Sequence, residues 1–145
     1  MLNHKILSVI LVVLAMPLSA FKSVEQQSLL RIEVLNIRKS NGKVVVAIYK
    51  DKSTWLQSPF RKIILAADES FKTASLNVPY GKYAVSVYQD INEDGQLDQN
   101  FLGIPKEPIG FGNNYRPLGK PNFDSALIEH SSTSKPAAIK LFTVF

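Results

Sequence analysis

Nine residues of the 145 hold the densest chemistry: Asp90-Ile91-Asn92-Glu93-Asp94-Gly95-Gln96-Leu97-Asp98. Oxygen-bearing side chains fall at relative positions 1, 3, 5, 7 and 9, with a glycine at 6, the first part of an EF-hand-type calcium loop. A hard cation takes six to eight oxygens at about 2.4 Å, and alternate side chains on a curled loop converge on such a point. Asp90, Asn92, Asp94 and Asp98 are the expected side-chain ligands; Gln96 holds the seventh position, which contributes its carbonyl. Glu93 and Leu97 then face away. Position 12, where a bidentate acid belongs, is Phe101, so completion falls to Asn100, Glu107, a backbone carbonyl or water. A loop without its final acid binds weakly, with a dissociation constant on the order of 0.1 to 1 mM. The competing account is an acidic turn in which Asp90 and Asn92 cap Asx turns and Asp94-Gly95 supplies left-handed positions.

Other chemistry finds little support. With no cysteine anywhere and one histidine, His130, beyond the first twenty residues, zinc and thiol nucleophiles are disfavoured. His130 ends a predicted strand beside Ser131-Ser132-Thr133-Ser134, which points to a solvent-facing or capping role. Gly103 to Gly112 lacks the Lys-Ser/Thr ending of a phosphate loop, so its glycines read as turn residues. Asp98 and Glu107 as a glycosidase pair would make the chain a hydrolase of a small exported or glycan substrate; two acids in a loop are slender grounds, and the balance leans away from an enzyme.

The elements that must position the acidic loop read as all-β. Leu30, Ile32 and Val34 alternate with Arg31 and Glu33, and Lys43 to Lys50 is rich in β-branched residues; with Asn41-Gly42 between them the two segments read as a hairpin. Arg61 to Ala66 and Phe71 to Val78 are weaker strands, and Lys82 to Asp90 is the strongest. Ser125 to His130 and Pro136 to Phe145 complete seven. The expectation is a seven-stranded antiparallel two-sheet sandwich, immunoglobulin-like or transthyretin-like. Residues 91–122 show no period and carry five of the seven glycines and four of the eight prolines, which makes them one long functional loop. Phe101, Phe111, Asn113, Asn114, Tyr115 and Arg116 on it are candidates to contact a glycan, peptide or protein, aromatic faces supplying area and amides direction. For Phe101 and Phe111 the alternative is packing of the loop onto the sandwich.

Residues 1–20 have the layout of a signal peptide: Lys5 in a polar lead, an apolar run from Ile6 to Met16, then Ser19 and Ala20 before a cut. That run is too short for a membrane span, which needs about 20 residues. The expectation is export to the periplasm or beyond, leaving residues 21–145 as one domain with no transmembrane segment. The net charge of +5 invites nucleic acid, yet five carboxylates stand against Lys106 alone in residues 90–107 and the lysines elsewhere are spread as solvated faces, so nucleic acid is not expected. A small outer-membrane barrel is disfavoured by the strand count and the long irregular segment.

A series of motifs in fixed order resembles a known family: Pro79-Tyr80-Gly81-Lys82-Tyr83-Ala84-Val85, the acidic nonapeptide, Asn100-Phe101-Leu102-Gly103-Ile104-Pro105-Lys106-Glu107, Gly110-Phe111-Gly112-Asn113-Asn114 and Pro121-Asn122-Phe123-Asp124-Ser125-Ala126. Over residues 29–145 the chain resembles the secreted bacterial family called domain of unknown function 2141, which implies an exported β-sandwich without assigned activity. It departs from that pattern at Gln89, where His is usual, and at Gly112, where Ser is common. The turn before the strongest strand is also similar to those of transthyretin-like and carboxypeptidase regulatory domains. The ending Leu141-Phe142-Thr143-Val144-Phe145 does not match the Tyr-Arg-Gly-Ser type motif of the transthyretin-like hydrolases.

Overall fold

The computed structural model describes residues 26–144; the expected signal peptide lies outside them. Eight strands form two sheets. The smaller has the order β4 (Phe71–Pro79), β1 (Gln27–Leu35), β8 (Ala137–Lys140). The larger runs β3 (Arg61–Ala66), β2 (Lys43–Tyr49), β5 (Gly81–Asp90), whose outer edge is shared by β7 (Leu127–His130) along its first half and β6 (Ile109–Phe111) along its second. The all-β two-sheet sandwich is therefore as expected. The strand count is eight rather than seven because β6, three residues long, is too short to show a period in the sequence. One pair departs from the antiparallel rule: β8 arrives after crossing from the large sheet and lies parallel to β1.

Strand alternation builds the core between the sheets. Leu30, Ile32 and Val34 of β1 face Val44, Val46 and Ile48 of β2 and Tyr83, Val85 and Val87 of β5, all buried. The expected β1–β2 hairpin does not form, since β1 pairs with β4 over nine residues and β2 with β3 and β5. Residues 36–42 instead cross between the sheets. Fully buried Gln89 holds that crossing: its Oε1 accepts from the Arg38 amide at 3.0 Å and its Nε2 donates to the Arg38 carbonyl at 2.6 Å. Gly42, expected in a hairpin turn, is needed for close approach, because a Cβ there would lie 2.4 Å from the Asp90 carbonyl oxygen.

The long loop is a third layer. Ala47, Tyr49 and Ala84, with Ile109 and Phe111 of β6, form the outer face of the large sheet and are buried with Phe123 and Ala126 of the covering segment, Trp55 joining from the β2–β3 connection. Both faces of β2 and β5 are thus covered, which explains the near-continuous apolar composition of β2. Gly112 marks the tightest point: a Cβ there would lie 2.0 Å from the Ala126 carbonyl oxygen. It also opens the 3-10 turn Gly112–Asn114, its carbonyl accepting from the Tyr115 amide at 3.1 Å, so it serves both the expected turn and this contact. Gly103, with φ at 74°, is a turn residue as expected.

Candidate functional site

Asp90 is the last residue of β5 and is 2% exposed. Strand alternation turns its side chain to the outer face beside Tyr88, while Gly42 packs close to its backbone carbonyl. Its Oδ2 accepts from the Gly95 amide at 2.8 Å, while Oδ1 is buried with no hydrogen-bond partner among the described residues. Such an oxygen is an exception among buried polar atoms, which are nearly always bonded. Gly95 has φ at 81°, the left-handed conformation that returns the chain over the carboxylate. Together with Tyr88, Glu93 and Gly95, and with Lys43 and Lys62 from the neighbouring strands, Asp90 lines a recess of about 300 Å³.

The other acidic-loop residues gather above it. Asn92 Oδ1 accepts from the Asp94 amide at 3.3 Å, and Asp94 Oδ1 accepts from the Gln96 amide at 2.9 Å, two successive Asx turns. The Asn92 side-chain amide donates to Asp94 Oδ2 at 3.3 Å and to Asp98 Oδ2 at 3.0 Å, so one amide stands between two carboxylates. Among the described residues no three His, Cys, Asp or Glu side chains form a metal cluster. The Gln96 side chain is exposed. Glu93 turns outward, with φ at 61°, and pairs with Lys43 at 3.2 Å; Leu97 packs inward against the third layer.

Glu107 and Asn100 act as braces. Glu107 is 5% exposed, and its two oxygens accept from the Ile91 amide at 2.7 Å and the Asp98 amide at 3.0 Å, pinning both ends of the acidic loop to one carboxylate. Bonds of this charge-assisted kind are the stronger ones. Asn100 Oδ1 accepts from the amides of Leu102 and Ile104 and closes the following turn. The Asp98–Glu107 pair considered for glycoside hydrolysis is thus joined through backbone, with Glu107 turned into the protein.

The Tyr88 hydroxyl donates to the Gly95 carbonyl at 3.3 Å. Burial first, and then the charges of Asp90, Glu107 and Asp94, push its phenol above the usual tyrosine range. Sequence reasoning missed this residue, although its place two before Asp90 on an alternating strand put it on the same face.

The six candidate partner-contacting residues divide. Phe101 is 96% exposed. Phe111 is a core residue at 5%, against Trp55 and Tyr115, so it does not face a partner; packing of the loop is the alternative that holds for it. Asn113 and Asn114 both adopt left-handed backbone and donate inward, Asn113 to the Leu127 carbonyl and Asn114 to the Ala138 carbonyl, while Asn114 Oδ1 accepts from the Lys140 amide. They tie the third layer to β7 and β8. Tyr115 is half-buried, and Arg116 lies over the Phe142 ring at 4.6 Å. His130, expected to face solvent, is buried beside Tyr80 at the end of β7, because its strand position turns it inward. Gln89, the position where the family pattern has His, faces the sheet crossing rather than the acidic loop.

Fold and site define an all-β sandwich domain with an acidic loop at the end of its central strand and a third layer over its large sheet. The chain belongs to the family described as uncharacterized protein conserved in bacteria (DUF2141), which matches residues 32–137. No curated protein and no solved structure matches it. Among the described residues no helix is long and apolar enough to cross a membrane.

Proposed function

We propose that this chain is an exported, non-enzymatic binding module whose acidic loop takes up a calcium ion and thereby braces the third layer. The observation that carries the reading is the divided carboxylate of Asp90: one oxygen is tied to Gly95, and the other is buried without a partner among the described residues, at the base of a loop rich in oxygen ligands. A buried charge left half-satisfied destabilises the fold, and a hard cation relieves it. Asp94 Oδ2 and Asp98 Oδ2 already share one donor, the Asn92 amide. A cation takes that donor's place, and Asn92 contributes its oxygen once its amide turns over. The exchange of an existing bond network for the ion, and the absence of an acid at position 101, keep the affinity low, on the order of 0.1 to 1 mM, in the range of extracellular calcium modules.

The test is thermal melting of the protein in millimolar calcium and in chelator. Calcium is expected to raise the melting temperature of the unchanged protein, because an ion bound by the native state alone stabilises it. In Asp94→Ala the rise disappears. Equal melting temperatures with calcium and with chelator would remove the proposal.

A further inference from the structure

A cavity of about 850 Å³ lies between the outer face of the large sheet and the third layer. Its volume falls within the range of small-molecule sites, roughly 300 to 1,000 Å³. Tyr49, Ser86 and Tyr88 line it from the sheet, and Leu97, Ile104 and Phe142 from the third layer and the C-terminal segment. Four further lining residues, Leu56, Leu102, Leu118 and Val144, are exposed large hydrophobics. Apolar side chains gathered in water around one concavity are what a ligand would cover.

The polar groups narrow the ligand's chemistry. The Ser86 and Tyr49 hydroxyls face each other at 3.5 Å, the Tyr88 hydroxyl is directed to Gly95, and the remaining uncharged polar side chain of the described lining, Gln99, is exposed. A sugar would leave most of its hydroxyls unpaired in such a lining, at a penalty for each. Among the described lining residues Lys120 is the one charged side chain and is itself exposed, so a cation stands where the cavity meets solvent. An apolar interior with a single positive charge at its edge complements an aliphatic chain ending in an anion.

We propose that the cavity binds a free fatty acid, its chain against Leu97, Ile104 and Phe142 and its carboxylate at Lys120. The proposal goes beyond the calcium reading and does not rest on it, since no residue named as a calcium ligand lines the cavity.

Octanoate, decanoate and dodecanoate, each below its micellar concentration, are titrated into the whole protein in calcium and again in chelator. Calorimetry and the fluorescence of Trp55, whose ring meets Tyr49 and Phe111 of the cavity wall, follow binding. Saturable binding is expected, strengthening about fourfold for each added methylene until the chain fills the cavity. Decanoate binds more tightly than decanol, and decylamine more weakly than either. Lys120→Gln brings decanoate down to the level of decanol and leaves decanol unchanged. Leu118→Asp, at a fully exposed side chain that the core does not use, weakens all three. Absence of saturable binding in both conditions, affinity independent of chain length, or decylamine bound as tightly as decanoate would each overturn the proposal. So would sedimentation with phosphatidylglycerol vesicles without binding of free acid, which would mark a membrane-surface site. Chain-length-dependent binding in chelator, alongside no thermal response to calcium, would uphold this site while removing the calcium reading.

Discussion

Asp90 concentrates the chemistry of the molecule because one of its oxygens is bonded and the other is stranded in a buried position. Its neighbour Tyr88 offers a readout that needs no ligand. The raised phenol pKa means that the native state holds the proton more firmly than the unfolded chain, so this contribution to stability is complete below about pH 10, the unfolded value, and is lost as pH rises through the folded one. Alkaline absorbance titration should show a late-ionising step to which Tyr88 contributes, and Tyr88→Phe should remove that contribution. Calcium should move the step part of the way back, because it offsets the Asp90 and Asp94 charges and leaves the burial unchanged. The spacing of Asp90, Asn92, Asp94 and Asp98 was legible in the sequence because it is local. The orphaned oxygen was not, because burial and bonding of one particular atom are set only when the folded loop packs over the strand end. The same limit applies to Glu107, whose two backbone partners, Ile91 and Asp98, are set only when the loop closes.

At the level of elements, alternation located β1 and β5, because period-2 patterning is written residue by residue, and β-branched content located β2. Pairing was less accessible. Asn41-Gly42 carries the composition of a hairpin turn, yet the chain there crosses between sheets under the hold of Gln89, a contact between residues about 50 positions apart. The third layer had a signal that composition alone does not reveal: Ala47, Ala84 and Ser86 are small residues on the outward face of the two central strands, which leaves room for a covering segment. Gly112 is where that cover approaches most closely. Gly112→Ala is expected to destabilise the protein by about 3 kcal/mol in urea unfolding, as the added carbon must displace the Ala126 backbone. Gly119→Ala, with open space around the new carbon, should change stability by less than about 0.5 kcal/mol. Equal effects at the two positions would contradict a tightly seated third layer.

The whole molecule is a sandwich with a cover, and Trp55 reports on the joint between them. The chain's one tryptophan packs on Tyr49 and Phe111 of the sheet and on Phe123 of the cover, and its Nε1 donates to the Pro121 carbonyl at 3.0 Å. Because this second cluster shares β2 and β5 with the main core, cover and sandwich should unfold together. Melting followed by Trp55 fluorescence and by β-sheet circular dichroism should give coincident transitions, whereas an earlier fluorescence change would show the cover lifting alone. The calcium-braced acidic loop is tested most directly by terbium, a luminescent stand-in for calcium that is excited through a nearby aromatic ring. Tyr88, bonded to the Gly95 carbonyl inside the loop, is placed to excite it. The expected result is sensitised terbium emission from the unchanged protein, suppressed by millimolar calcium and absent in Asp90→Asn. Emission that persists in Asp90→Asn, or no emission at all, would contradict an ion held at Asp90.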